Sequence, residues 1–456
     1  MVLLSVVKWY LARNDDYWTK KGIHSTTREN FFAFLFKLYS QDMGKLLKNI
    51  TKEHGRVAGS FQGSSPSVMV AEPDLLRDIL VKDFHIFPYR NTMKTGDEIA
   101  DKMVSTVIGE DWKRIRTIIT PAFTSKRMRL ISSIMNECSK HSLKFVKNTQ
   151  TREPVDIKSM FGAFTMDVIA SSAFGTKVDS HNDPQNEFVR RAREAFLRFT
   201  PLYVVFSIMI PRWVLELIPE SINPFKLDKD NFFRDVTMSV IKQRKETGRR
   251  YNDFLQLLMD ATDEAAQTES QETVEDETDR FGSITFNETS PSAKYKKLSN
   301  NELLAQCILF FMVGYETTGV VLTFVTYCLA TNPEWQEKLI KEVDEAFEKY
   351  GEMSYDAVRE MKVLDAVLSE TLRMHPPAAS TGRTAVEDYE LGNTGITFLK
   401  IQKHLIQKGS WKANLFRHFR VKPHSTTKIP LEYKKGAILL TVTELPLLVE
   451  KRTEVK

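Results

Sequence analysis

The residues best suited to do chemistry lie in the run Phe310-Phe-Met-Val-Gly-Tyr-Glu-Thr-Thr-Gly319. A carboxylate and two hydroxyls interrupt a stretch that is otherwise Leu, Ile, Phe, Met and Val, where an unpartnered polar group costs roughly 1–3 kcal/mol. One reading keeps these groups local: Thr317 and Thr318 bond back to carbonyls one turn earlier, and Glu316 reaches water at a helix face. The other is functional. Gly314 removes a side chain to admit a flat ligand, and the threonines loosen the helix into a small polar groove. Neighbours on a helix of ~3.6 residues per turn point about 100° apart, so Glu316 and Thr317 serve different sides of that groove. An acid toward water and an alcohol toward the reacting atom suit a proton relay.

A second group is Ser369-Glu-Thr-Leu-Arg-Met-His-Pro-Pro377, where Glu370 and Arg373 stand three apart at a helix end stopped by two prolines. Glu-x-x-Arg occurs five times in the chain, and only this copy lies on an apolar amphipathic helix ending in Pro-Pro. A third is Trp112-Lys-Arg-Ile-Arg116, which puts an indole and a guanidinium on one helical face. An ordinary exposed aromatic and cationic face is the alternative for that pair.

The elements that must hold these groups are mostly helices. Met128 to Lys147 and Glu334 to Glu348 carry apolar residues at three- and four-residue intervals. Ser299 or Asn300 can cap a long apolar helix running to about Ala330. Short strand-like runs occur at Ser67-Val-Met-Val-Ala71 and at Ala437-Ile-Leu-Leu-Thr-Val442. From Asp260 to Lys294 the chain turns to Asp, Glu, Thr, Ser and Gln, and it reads as a flexible acidic linker between two helices. The sequon at Asn287 within it is a short pattern that chance supplies often.

Composition sets the bounds. The 456 residues, 42% of them hydrophobic, are enough for a large core, and length alone would allow about three domains. The net charge of +5, from 64 basic and 59 acidic residues, is too dispersed for a polyanion partner, so no nucleic acid is expected. Cys138, Cys307 and Cys328 form no CxxC pair and no metal-ligand spacing, which excludes a disulfide framework and a zinc ribbon. Met1 to Val7 is apolar, but Lys8 and Arg13 interrupt it well short of the roughly 20 residues of a spanning helix. Pro201 to Pro211 with Trp213 to Pro219, broken by prolines and Arg212, suits a pair of surface-dipping helices as well as an ordinary buried one.

Taken together, these motifs resemble the cytochrome P450 haem-thiolate monooxygenases, most closely the broad-substrate animal members of the steroid- and drug-oxidising clan. The resemblance runs from about Asp15 to Asp388 and resumes from about Leu415 to the end. It implies a mainly α fold with a small β region and a haem cofactor. By resemblance, Thr317 hydrogen-bonds the iron-bound dioxygen and Glu316 helps supply its protons. Val313-Gly314 overlies the distal haem face, with Val313 where the family usually has Ala. Trp112, Arg116 and Arg383 reach the haem propionates, and Glu370 with Arg373 forms the buried pair that locks the haem-side core. The implied reaction is insertion of one oxygen atom into a lipophilic substrate, with electrons from NADPH through a flavin reductase. The implied location is the cytosolic face of the endoplasmic reticulum membrane. Asn91 to Val107 and Phe196 to Ile210 line or cap the pocket, and Lys113, Arg114 and Lys126 offer a basic face to an acidic flavoprotein.

One departure from the family pattern is large. The family's Phe-x-x-Gly-x-Arg-x-Cys-x-Gly loop supplies the thiolate that binds iron opposite the oxygen site. After Tyr389-Glu-Leu-Gly-Asn-Thr-Gly-Ile-Thr397 this chain reads Phe398-Leu-Lys-Ile-Gln-Lys-His-Leu405 and rejoins the pattern near Lys412, so the fold is expected to be incomplete between about 398 and 412. Cys307 and Cys328 lie about ten residues to either side of Thr317 on the same helix, and Cys138 reads as a small buried thiol. No metal ligand is therefore assigned, and a substitution by His375 or His404 would lack the thiolate's electron push. Residues 1–27 read as a short N-terminal segment, a truncated membrane anchor and hinge, and 28–456 as a single domain. A non-catalytic remnant acting as a binding or decoy protein is the alternative function.

Overall fold

The computed structural model describes residues 12–26, 31–62, 64–90, 95–148, 153–197, 231–251, 253–263, 298–398, 403–404 and 419–451, with scattered positions between 200 and 228. The surface-dipping stretch from Pro201 to Pro219 and most of the acidic stretch thus lie largely outside the described residues.

Helices dominate, and each starts and stops for local reasons. Gly109–Ile119 (α1) carries Glu110 and Asp111 in its first turn. It is followed by Ser125–Asn148 (α2), by Ile157–Ala173 (α3), by Phe232–Thr247 (α4) and by Phe254–Asp263 (α5). Helix α5 runs through Asp263, so the first residues of the acidic stretch are helical. The longest helix is Asn300–Thr331 (α6), started by a capping box: Glu302 N donates to Ser299 Oγ at 3.2 Å while the Glu302 carboxylate accepts from Ser299 N at 2.7 Å. Pro333–Tyr350 (α7) begins with proline in its first turn, and Lys362–Met374 (α8) gives way to the Pro376-Pro377 pair.

The strands are few and short. Val57–Gln62 (β1) and Ser65–Val70 (β2) make an antiparallel hairpin with Val57 opposite Val70. Val155–Asp156 (β3), Arg383–Thr384 (β4), Tyr389–Glu390 (β5), Thr397–Phe398 (β6), Lys403–His404 (β7), Phe419–Pro423 (β8) and Pro446–Lys451 (β9) follow. They form a three-stranded sheet in the order β3-β9-β8 and the pairs β4-β7 and β5-β6. The strand expected at Ala437 to Val442 is not one. That run packs as irregular chain, with Leu440 and Val442 buried, and the ladder forms instead at Pro446–Lys451.

Helix α6 is apolar on most faces because it is shared by two cores. Its C-terminal half, from Val320 to Ala330, packs with α7, α8 and the β8-β9 ladder. Its N-terminal half, from Leu303 to Phe311, packs with Met166 and Ala170 of α3, Phe233 of α4 and Leu255 of α5. Hydroxyls buried in this apolar helix are satisfied internally: Thr323 Oγ1 donates to Gly319 O at 2.7 Å and Thr326 Oγ1 to Leu322 O at 2.8 Å. Two buried glutamines fasten other segments of chain to helices. Gln306 accepts from Val104 N and donates to Lys102 O, both at 2.9 Å. Gln336 accepts from Val421 N at 2.8 Å and donates to Val421 O at 2.9 Å, holding β8 against α7.

Candidate functional site

Between the two cores α6 changes character, and its residues there divide by direction. Val313 is 52% exposed, an unusual degree for valine on a helix otherwise covered by protein. Thr317, one turn on, is half-buried and donates its hydroxyl to Val313 O. This pair forms an open face of the helix. Glu316 points elsewhere, lying 3.6 Å from Lys158 Nζ of α3 and 3.5 Å from the donating Thr441 Oγ1. The separation of acid and alcohol onto different sides matches the sequence expectation; the acid's exposure to water does not, because Lys158 and the C-terminal segment cover it.

Gly314 also turns away from the open face. A Cβ at that position would approach Ile169 Cδ1 of α3 to 2.8 Å. The space that the sequence reading gave to a flat ligand is thus taken by Ile169, and the bare glycine lets α3 and α6 approach closely. Farther along, Gly319 faces Thr165, Phe161 and Gly162 of α3 in the same contact.

A basic cluster gathers residues from three distant parts of the chain. The backbone sets it up: Thr384 N donates to Tyr89 O and Val386 N to Ile86 O, both at 2.9 Å. This pairing brings Arg383 beside Arg90. Arg116, one turn from Trp112 on α1, faces Arg90 closely enough to lower its pKa, second to the effect of burial. The Arg383 guanidinium is pushed down to about 10, first by burial and then by Arg90. Arg383 Nη1 donates to Gly382 O at 3.0 Å, whereas its buried Nε has no hydrogen-bond partner. Among the described residues no carboxylate forms an ion pair with any of the three. Trp112 frames the cluster edge-on to Tyr89 at 5.7 Å and near Phe84 at 6.5 Å. Arg90 and Arg116 keep solvent-exposed surface and Arg383 is half-buried; like charges gathered beside an orphaned buried donor favour an anion, and planar guanidinium forks suit a carboxylate.

Arg90 was not found by sequence reasoning. It sits in Phe87-Pro-Tyr-Arg90, an irregular segment with no helical or strand spacing to mark it, and only the pairing with β4 gives it a role.

Other expected groups stand apart. Glu370 and Arg373 pair with each other through two hydrogen bonds of 2.6 and 2.7 Å, but their side chains are 56% and 68% exposed. The expectation of a buried pair is corrected: nothing among the described residues covers it. Arg114, expected on a free basic face, is bound to Glu302 at the start of α6 and to Asp111 at 2.8 Å. Lys113 lies 3.5 Å from Glu110.

The three thiols do not supply an iron ligand. Burial pushes Cys138 up to about 12 and raises Cys307 further, and Cys328 is also raised, so each is a neutral thiol. Cys307 and Cys328 are both on α6, the helix that carries the open face. His375 Nδ1 is 2.5 Å from Tyr433 Oη, and its ring packs on Phe324. The described residues therefore fit the carboxylates of a haem and do not fit its iron.

Comparison with known proteins gives this arrangement its class. The family model for cytochrome P450 matches residues 25–402, a match that ends within the junction following Phe398. Cytochrome P450 3A2 of Rattus norvegicus is 32% identical over 402 residues, covering 86% of this chain and 74% of that protein. Cytochrome P450 3A5 of Homo sapiens is 33% identical over 403 residues, covering 87% and 75%. The chain belongs to the cytochrome P450 family, the haem monooxygenases, and is related to its animal drug-metabolising forms. Its mainly helical architecture with small sheets is consistent with that fold.

Proposed function

We propose that this chain carries the haem-carboxylate cradle and open helix face of a monooxygenase that inserts one oxygen atom into a lipophilic substrate, and that as written it lacks the thiolate needed to complete the reaction. The observation that carries the reading is the convergence of Arg90, Arg116 and Arg383 without a neutralising carboxylate. Bound haem supplies dioxygen activation in this family. The chain's own residues have separable tasks. The three guanidiniums bind the carboxylates, with Trp112 as the flanking wall. Val313 bounds the open face and Thr317 presents a hydroxyl to it. Glu316 stores or passes a proton next to Lys158 and Thr441, and Glu370 with Arg373 retains the pair that the missing segment would cover. Electrons would come from NADPH through a flavin reductase, with the protein on the cytosolic face of the endoplasmic reticulum membrane.

A second reading follows from the unplaced thiolate and the exposed Glu370–Arg373 pair: a non-catalytic remnant that binds no haem, or binds it weakly, and acts as a binding or decoy protein, competing for the reductase. Sequencing the transcript from the codons for Glu370 to those for Arg420 tests the choice. A longer product encoding a cysteine loop restores the monooxygenase with these site residues. A product of the present length supports the remnant, and reductase-supported turnover by that product would overturn it.

A further inference from the structure

Away from the arginine cluster, three residues from different elements converge on one point. His141 projects from α2, Asp167 from α3, and Asp179 from the turn after α3. Their candidate ligand atoms all lie within 4.8 Å of one another, with His141 Nδ1 3.8 Å from Asp167 Oδ2. Asp167 is completely buried. Its Oδ1 accepts from Ser180 N at 2.9 Å, but Oδ2 has no hydrogen-bond partner. His141 Nδ1 and Ser180 Oγ, both enclosed, are also without one. A buried carboxylate oxygen, an imidazole nitrogen 3.8 Å from it and a hydroxyl, none with a hydrogen bond, are costly in a folded chain unless something joins them. Among the described residues no Lys or Arg comes within ion-pair distance of Asp167.

We propose that His141, Asp167 and Asp179 form a divalent-cation site of the zinc type, completed by water, which clips α2 to the turn after α3. One neutral imidazole and two carboxylates balance a doubly charged ion. A nitrogen donor with only two carboxylates suits zinc better than magnesium or calcium, which take six or more oxygens. Tetrahedral bonds of about 2.1 Å set ligand atoms about 3.4 Å apart, so a spacing of up to 4.8 Å must close by at most about 1.4 Å. The half-buried side chains of His141 and Asp179 can supply that movement. Outer contacts already orient the set. Asp179 accepts from Asn182 N at 3.2 Å and Nδ2 at 2.7 Å, and Asp167 Oδ1 accepts from Ser180 N at 2.9 Å.

The test is zinc titration of the untagged full-length chain after chelator treatment, followed by competition with a chromogenic chelator and by thermal unfolding. The expected result is one zinc per chain, a higher unfolding temperature, and no displacement by millimolar magnesium. His141→Ala and Asp179→Asn should each weaken binding at least tenfold while leaving the circular dichroism unchanged. His54→Ala, which removes the exposed His24–His54 contact, should leave binding unchanged. Saturable binding of equal strength in His141→Ala, Asp179→Asn and the parent would overturn the proposal, as would the absence of saturable binding by the folded parent chain.

Discussion

At Gly314 an added methyl has one place to go, against Ile169 Cδ1 at 2.8 Å. Gly314→Ala should destabilise the chain by about 1–3 kcal/mol, the usual range for overpacking, and Ile169→Val in the same chain should recover part of the loss. Urea denaturation of the two variants and the double variant checks this; an unchanged midpoint for Gly314→Ala would return the glycine to the open face. Arg383 presents the converse case of a side chain short of partners, with a buried Nε unbonded and Arg90 alongside. Arg383→Gln should weaken haemin binding at least tenfold in an optical titration, and Arg383→Lys should restore little because an ammonium cannot make the forked contact. If Arg383→Gln binds haemin as tightly as the parent, the cradle assignment fails.

Between elements, Arg244 and Asp253 show a buried charge that is fully paired. Arg244 near the end of α4 donates to Asp253 through contacts of 2.9 and 2.5 Å, lies over the Tyr251 ring at 4.3 Å, and is almost completely enclosed. Asp253→Ala would leave an unpaired buried cation and should cost about 3–5 kcal/mol in urea denaturation; a loss below about 1 kcal/mol would show the pair to be solvated. The helices themselves were legible in the sequence, since caps and periodicity are local. The Ser299 start of α6 and the spans around α2 and α7 appear where spacing predicted them. What was not legible depended on distant partners. Ala437 to Val442 has strand-forming residues but packs as irregular chain, while Pro446–Lys451 takes the β8 edge. Arg90 carries no spacing signal, Gly314 answers to Ile169 of another helix, and Glu370 with Arg373 is exposed because none of the described residues covers it. The chemistry-bearing Glu316, Thr317, Trp112, Arg116 and Arg383 stood out by type and by resemblance, and their surroundings did not.

For the whole molecule, protonation links these parts to stability. Burial holds His181 and His375 below the ordinary value of 6.5, so both stay neutral in the folded chain at pH values where the unfolded chain already binds protons. Their contribution is therefore present above 6.5 and is lost as pH falls from there toward the depressed folded values. Asp167 and Asp228, raised by burial above 3.8, act in the opposite sense as pH falls through their folded values. The unfolding temperature should be lower at about pH 5.5 than at about pH 7.5, and the His181→Gln/His375→Gln double variant should flatten that slope. An unchanged slope would assign it to other groups. The central claim is that the chain keeps the contacts for haem carboxylates and lacks the thiolate for its iron. Haemin titration of the full chain, followed by the absorbance of the reduced carbon monoxide complex, tests both halves at once. The expected result is a bound-haem Soret band that weakens in Arg116→Gln and Arg383→Gln and shows no thiolate-type carbonyl spectrum. A thiolate-type spectrum from the chain as written, or no haem-bound band at all, would contradict it.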